Sequence, residues 1–137
     1  MMRMNRQEVG SWGENLAATY LTERGYTILE RNVRTSYGEI DLVAQKKIGG
    51  MDGEGGIGGE SALVFVEVKT RRSTKYGLPE EAMTSRKQAH LLAAIQSYLQ
   101  SHPELTGNWR VDVIAIRHSP KIPAPEIIHF ENAITAA

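Results

Sequence analysis

Between Glu8 and Arg24 the residues Val9, Trp12, Leu16, Ala17, Tyr20 and Leu21 recur every three or four positions, the spacing of one helix face, and Gly25 supplies the stop. The period then changes. Tyr26–Arg31 (YTILER) reads as a short strand and RTSYG as a turn. A second strand follows over Gly38–Gln45 (GEIDLVAQ), where alternation sends Ile40 and Leu42 to one face and Glu39, Asp41 and Val43 to the other. Residues 46–61 hold seven of the thirteen glycines and few large apolar side chains, which predicts a flexible hairpin loop. A phosphate cradle would need fixed glycine spacing opening into a helix; a strand follows here, so that use is excluded.

That strand, ALVFVEVKTR from Ala62, is nearly apolar on both faces, as a central buried strand should be. A basic loop leads to Pro79, which can open a short helical turn at PEEAM. Thr84 or Ser85 then caps a longer helix with Ala89, Leu92, Ala93, Ile95, Tyr98 and Leu99 on its apolar face, reaching about His102 before Pro103 ends it. Trp109–Ile116 (WRVDVIAI) alternates as another strand, and EIIHF near the end reads as a last one. Three strands joined by short connections predict an antiparallel meander, and the helical crossover after them returns the chain to a parallel partner. The expected fold is α/β, an α-β-β-β-α-β core with a mixed central sheet flanked by helices, in one domain spanning residues 1–137.

Composition narrows the chemistry. The 137 residues are 41% hydrophobic and 23% charged, as in ordinary globular proteins, and no apolar run approaches the roughly 20 residues needed to cross a bilayer. The first residues lack the apolar stretch of a signal peptide, so a cytoplasmic protein with no membrane partner is expected. Absence of cysteine excludes disulfides, thiolate zinc sites and cysteine nucleophiles, which leaves oxygen or imidazole ligands for any metal. Sixteen basic residues balance sixteen acidic ones, so bulk charge gives no attraction to a polyanion. Locally the balance breaks: Lys69, Arg71, Arg72, Lys75, Arg86 and Lys87 stand against only Glu80 and Glu81. Such a run is either a phosphate-binding face or a solvated loop and helix surface.

Glu67 and Lys69 lie two apart and share a strand face with Leu63 and Phe65. Burying either charge unpaired costs several kcal/mol, roughly, so each needs a partner, a metal or water. Asp41 on the preceding strand can converge with Glu67 across the hairpin. Two carboxylates at one point repel unless one is protonated or a cation joins them, and such ligands suit Mg²⁺ or Mn²⁺. With a phosphodiester substrate, the ion would lower the pKa of an attacking water while Lys69 stabilises developing charge. A plain salt bridge from Lys69 to Glu67 or Asp41 explains the same residues without chemistry.

The pattern EID at 39–41 and EVK at 67–69, on this order of elements, resembles the PD-(D/E)XK nuclease superfamily, with a restriction endonuclease-like core. More closely, GENLAATYLTERGYTILERN, GEIDLVA, LVFVEVKTR, GLPEEA and RVDVIAI are similar to the bacterial YraN-like uncharacterised protein family, itself similar to archaeal Holliday junction resolvases. The resemblance runs from about Gly13 to Ile116 and departs at Ile40, where the superfamily's name has proline. It implies that Asp41 and Glu67 are metal ligands, that Lys69 is the catalytic lysine, and that Glu14 on the first helix reaches the metal. Glu14 could equally be solvated, with Arg24 or Lys87 as its partner. The implied activity is a metal-dependent endonuclease on DNA, in preference to RNA, with branched or structured DNA as the substrate class the resemblance suggests; the competing reading is a non-cleaving nucleic-acid-binding module of a DNA-processing complex. Resolvase-like members commonly act as homodimers, which makes a second copy an expected partner.

Smaller expectations complete the reading. Arg71, Arg72, Lys75, Tyr76, Lys87 and Gln88 are candidate nucleic-acid contacts. Tyr37 and Tyr76 flank the motif strands in loops and can stack on a base or serve as a lid over the core. Asp112 alternates as a buried acid and should bond Arg110 or backbone instead of metal. His90, His102, His118 and His129 show no ligand spacing.

Overall fold

The first helix, α1 (Arg6–Glu23), starts earlier than its apolar stripe indicates because Asn5 caps it. The Asn5 side chain accepts the Glu8 N–H at 2.8 Å while the Glu8 carboxylate accepts the Asn5 N–H at 3.2 Å, a reciprocal box that satisfies two otherwise orphaned donors. Gly25, at φ +90°, turns the chain into the sheet. The computed structural model describes residues 4–48, 60–72 and 83–134. Its strands are β1 (Thr27–Thr35), β2 (Gly38–Ile48), β3 (Glu60–Arg71), β4 (Trp109–Arg117) and β5 (Glu126–Ile134), with the helix α2 (Ser85–Ser101) between β3 and β4.

The five strands lie in the order β1-β2-β3-β4-β5, antiparallel except for the parallel β3–β4 pair that the α2 crossover requires. The α-β-β-β-α-β order and mixed sheet are those expected, a restriction endonuclease-like core extended by β5. Each face of the sheet carries one helix. Ala17, Ala18 and Leu21 of α1 pack on Leu42, Ala44, Val64, Val66, Ile114 and Ile116; Leu91, Ala94, Ile95 and Tyr98 of α2 pack on Ile40, Val43, Leu63, Phe65, Val111 and Val113. Thr84 is the α2 cap, accepting the Lys87 N–H at 3.2 Å. The buried face of α2 is turned from the expected one, for Leu91 and Ala94 are buried while Ala89 is exposed; with apolar residues at 91–95 the period alone cannot choose.

Two strand boundaries differ from expectation. Lys46–Ile48 and Glu60–Ser61, assigned to the glycine loop, continue the β2–β3 ladder down to Ile48↔Glu60. The remainder of the glycine loop, the helical turn at Pro79 and the candidate contacts Lys75 and Tyr76 lie outside the described residues.

The larger correction is in β2. Ile40 and Leu42 do not share a face: Ile40 packs under α2 with Val43, whereas Leu42 packs under α1 with Ala44. Opposite this break Asn32 of β1 adopts φ +52°, and the pairing runs from Arg31↔Leu42 to Val33↔Ile40 around it. A residue in the left-handed region reverses the local pleat, so the strict period of two fails at that step.

Candidate functional site

Pairing of β2 with β3 reaches Leu42↔Val66, and Asp41 stands at the next step. There its Oδ2 accepts the Val68 N–H at 2.8 Å, so a side chain closes the gap where the strands part. On β3, Glu67 and Lys69 project toward the α2 side together with Phe65, and Lys69 Nζ lies 3.1 Å from Glu67 Oε1 with both side chains largely covered. The salt bridge that the sequence left open is therefore formed.

Glu14 reaches the same place through a close approach of backbone. Gly13 is buried, and a Cβ there would collide with Thr70 Oγ1; its absence lets α1 settle on β3. With the Asn32 amide turned so that its nitrogen faces the acids, that nitrogen lies 2.9 and 3.2 Å from the two Glu14 carboxylate oxygens and 3.1 Å from Glu39 Oε1. Burial first, and then the Glu39 and Glu67 charges, push the Glu14 carboxyl above its usual range, while Asn32 and Arg31 oppose the rise. Arg24, a partner considered for Glu14, instead lies over the Tyr20 ring, 3.8 Å from its centroid.

The strongest electrostatic effect falls on Asp41. Its pKa is pushed up to about 8 by burial, then by the Glu67 charge, with Glu14 and Glu39 adding to the rise and the Val68 N–H opposing it. Four carboxylates from α1, β2 and β3 thus act on one another, a crowding that divalent cations relieve. The donors are hard oxygens, which suit Mg²⁺ or Mn²⁺. Among the described residues no three acidic or histidine side chains form a ready-made metal cage. Mg²⁺ does not need one, since it commonly takes one or two carboxylates and completes its shell with water and substrate phosphate.

A depression of about 260 Å³ opens beside Glu67 and Lys69, bordered by Gly38 and Glu39 of β2, Met83, and Lys87, His90 and Leu91 of α2. Glu67 and Lys69 share this depression with Lys87, and Asp41 and Glu14 are tied to Glu67 through the mutual repulsion of their carboxylates. Gln88 faces elsewhere, donating to the Met83 carbonyl at 2.8 Å. Arg71 and Arg72 are exposed at the end of β3. Sequence reasoning missed Asn32, Glu39 and His90; Glu39 was detectable as the residue two before Asp41 in the same motif.

The model of the uncharacterised protein family UPF0102 matches residues 13–116, the span from the close-packed glycine of α1 to the end of β4. The chain belongs to this family. A UPF0102 protein of Syntrophomonas wolfei is 50% identical over 113 residues, covering 82% of this chain and 86% of that protein. A UPF0102 protein of Dehalococcoides mccartyi is 43% identical over 133 residues, covering 97% and 98%. A UPF0102 protein of Geobacter metallireducens is 42% identical over 136 residues, covering 99% of each. The UPF0102 match contains every carboxylate of the cluster, together with Lys69, Lys87 and His90.

A second polar cluster lies on the α1 side of β4 and β5. Asp112 has no exposed surface; it takes two bonds from Arg110, at 3.0 and 3.2 Å, the Asn132 N–H at 2.9 Å and His129 Nε2 at 2.7 Å. Burial alone would raise its pKa, but the His129, Asn132 and Arg110 bonds outweigh it and hold the carboxyl below its usual range. The expected bonding to Arg110 and backbone is present. His129, seventeen residues away in sequence, was not expected.

No described helix is long and apolar enough to cross a membrane.

Proposed function

We propose that this UPF0102 protein is a divalent-metal-dependent endonuclease that hydrolyses phosphodiester bonds in DNA. The observation that carries the reading is the placement of Asp41 where β2 leaves β3, beside the strand that carries the Glu67–Lys69 pair, with burial and then the neighbouring Glu67 charge raising the Asp41 carboxyl well above its usual range. Asp41 and Glu67 would hold Mg²⁺ or Mn²⁺, with Glu14 close behind them. Bound there, the ion would supply charge neutralisation at the phosphate and lower the pKa of the attacking water.

The chain's own groups would do the rest. Lys69 would position that water or stabilise charge on the phosphate, its Nζ already fixed by Glu67. Lys87, at the mouth of the same depression, would draw in the substrate phosphate. Asn32 would hold Glu14 and Glu39 in register, so that the acids keep their places before the substrate arrives.

The test is incubation with Mg²⁺ or Mn²⁺ and single-stranded, duplex, flapped and four-way-junction DNA, beside Glu67→Gln and Lys69→Met variants. Cleavage by the wild type, abolished by EDTA and by either substitution, is the expected result. DNA binding with no cleavage under any metal would support a non-cleaving module. Equal cleavage by wild type and both variants would overturn the site.

A further inference from the structure

Tyr37 at the tip of the β1–β2 hairpin is 57% exposed, although the backbone beneath it is firmly held. Thr35 Oγ1 donates to the Gly38 carbonyl at 2.8 Å and accepts the N–H groups of Tyr37 and Gly38 at 3.1 and 3.2 Å. Gly38, at φ +149°, passes close to the His90 carbonyl of α2; a Cβ built on it would lie 4.0 Å from that oxygen. An aromatic ring is therefore presented to solvent on a rigid support, and its side chain takes no part in the support.

The residues on either side of Tyr37 line two separate depressions. Gly38 and Glu39 border the one that holds Glu67, Lys69 and Lys87, whereas Arg34, Thr35 and Ser36 border another of about 470 Å³ against the C-terminal half of α2. His90 on the first and Ser97 on the second are seven residues apart on α2, about 10 Å, or roughly three nucleotides of a strand at about 3.4 Å each. Lys87 and Arg34, one at each depression, have no ion-pair partner among the described residues. Two cations able to take phosphates thus bracket an exposed aromatic ring, the combination by which proteins hold unpaired nucleotides.

We infer that Tyr37 is a stacking platform for an unpaired base beside the scissile phosphate, and that the substrate is DNA with unpaired nucleotides at that point, in preference to continuous duplex. In a continuous duplex each base is stacked on its neighbours and offers no free face to a tyrosine. This rests on the nuclease reading of the same site, and the test separates the two. Binding is measured in EDTA, where no cutting occurs, by fluorescence anisotropy on duplex, on a duplex with one unpaired nucleotide, and on the latter with an abasic linker in place of that nucleotide.

Tyr37→Ala should weaken binding to the unpaired-nucleotide DNA about tenfold and binding to duplex by less than about twofold, while Tyr37→Trp keeps wild-type affinity. The abasic linker should weaken the wild type about as much as Tyr37→Ala does and should not weaken the variant further, because one contact is lost in either case. Unchanged melting of Tyr37→Ala is expected, since the turn is held by Thr35. Equal weakening on all three DNAs, or none, overturns the platform and leaves the nuclease reading standing. No binding by the wild type to any of them overturns the platform, and the nuclease reading is then decided separately by cleavage in Mg²⁺ or Mn²⁺.

Discussion

Replacing Asp41 by Asn should stabilise the metal-free protein while removing its activity. The amide keeps an oxygen to accept the Val68 N–H but carries no charge into the cluster of acids. The wild-type carboxyl is raised from 3.8 to about 8, so between those values the folded chain binds more protons than the unfolded one, and stability falls as pH rises through that window. At about 1.4 kcal/mol per pH unit, the full cost of ionising it in the folded state is bounded at about 6 kcal/mol. Repulsion is shared with Glu67, Glu14 and Glu39, so the gain from removing this one charge should be about 2 kcal/mol at pH 9, or about 6 °C in Tm. It should shrink toward zero as the pH falls below 3.8, where wild-type Asp41 becomes protonated in both states.

Urea titrations of wild type and Asp41→Asn in EDTA at pH 4.5, 6, 7.5 and 9 measure this directly. Added Mg²⁺ should raise the midpoint of the wild type at pH 9 and leave the variant unmoved. A difference between the two proteins that is flat with pH, or an Asn variant weaker at pH 9, would refute the electrostatic account of the cluster.

Gly13→Ala should cost about 1–2 kcal/mol in a thermal melt, the clash with Thr70 outweighing the better helix propensity, and the double variant Gly13→Ala/Thr70→Ala should recover much of it. Asp112→Asn should be more damaging, about 3–5 kcal/mol at pH 7, because Arg110 and His129 lose their shared anion. The folded pKa of Asp112 lies below the unfolded one, so its contribution is complete above about pH 4 and disappears as pH falls through the folded value; stability curves of wild type and variant should converge in acid. Asn32→Gly accepts φ +52° but removes the amide from Glu14 and Glu39, for an expected loss of about 1 kcal/mol. Asn32→Ala should lose about 1 kcal/mol more through backbone strain; equal melting of the two would mean the left-handed conformation is not held in the wild type.

The sequence by itself determined the order and type of the elements, because periods of 3.6 and 2 are written by local backbone geometry. It also fixed Glu67 and Lys69 on one face of β3, since two residues along a regular strand always return to the same side. Tertiary structure decided what meets them. The alternation that grouped Ile40 with Leu42 failed at Asn32, whose left-handed backbone is not encoded in any period, and Glu39 entered the site from that same hairpin. Glu14 arrives because Gly13 lets a helix touch β3, a close approach between residues 57 positions apart. Gln88 was indistinguishable from Lys87 as a candidate until the turn before α2 placed the Met83 carbonyl within its reach. His129 and Asp112 likewise become partners only through the β4–β5 pairing. Convergence of side chains is a property of chain crossings and of breaks in regular pairing, and neither leaves a repeat in the sequence from which it could be read.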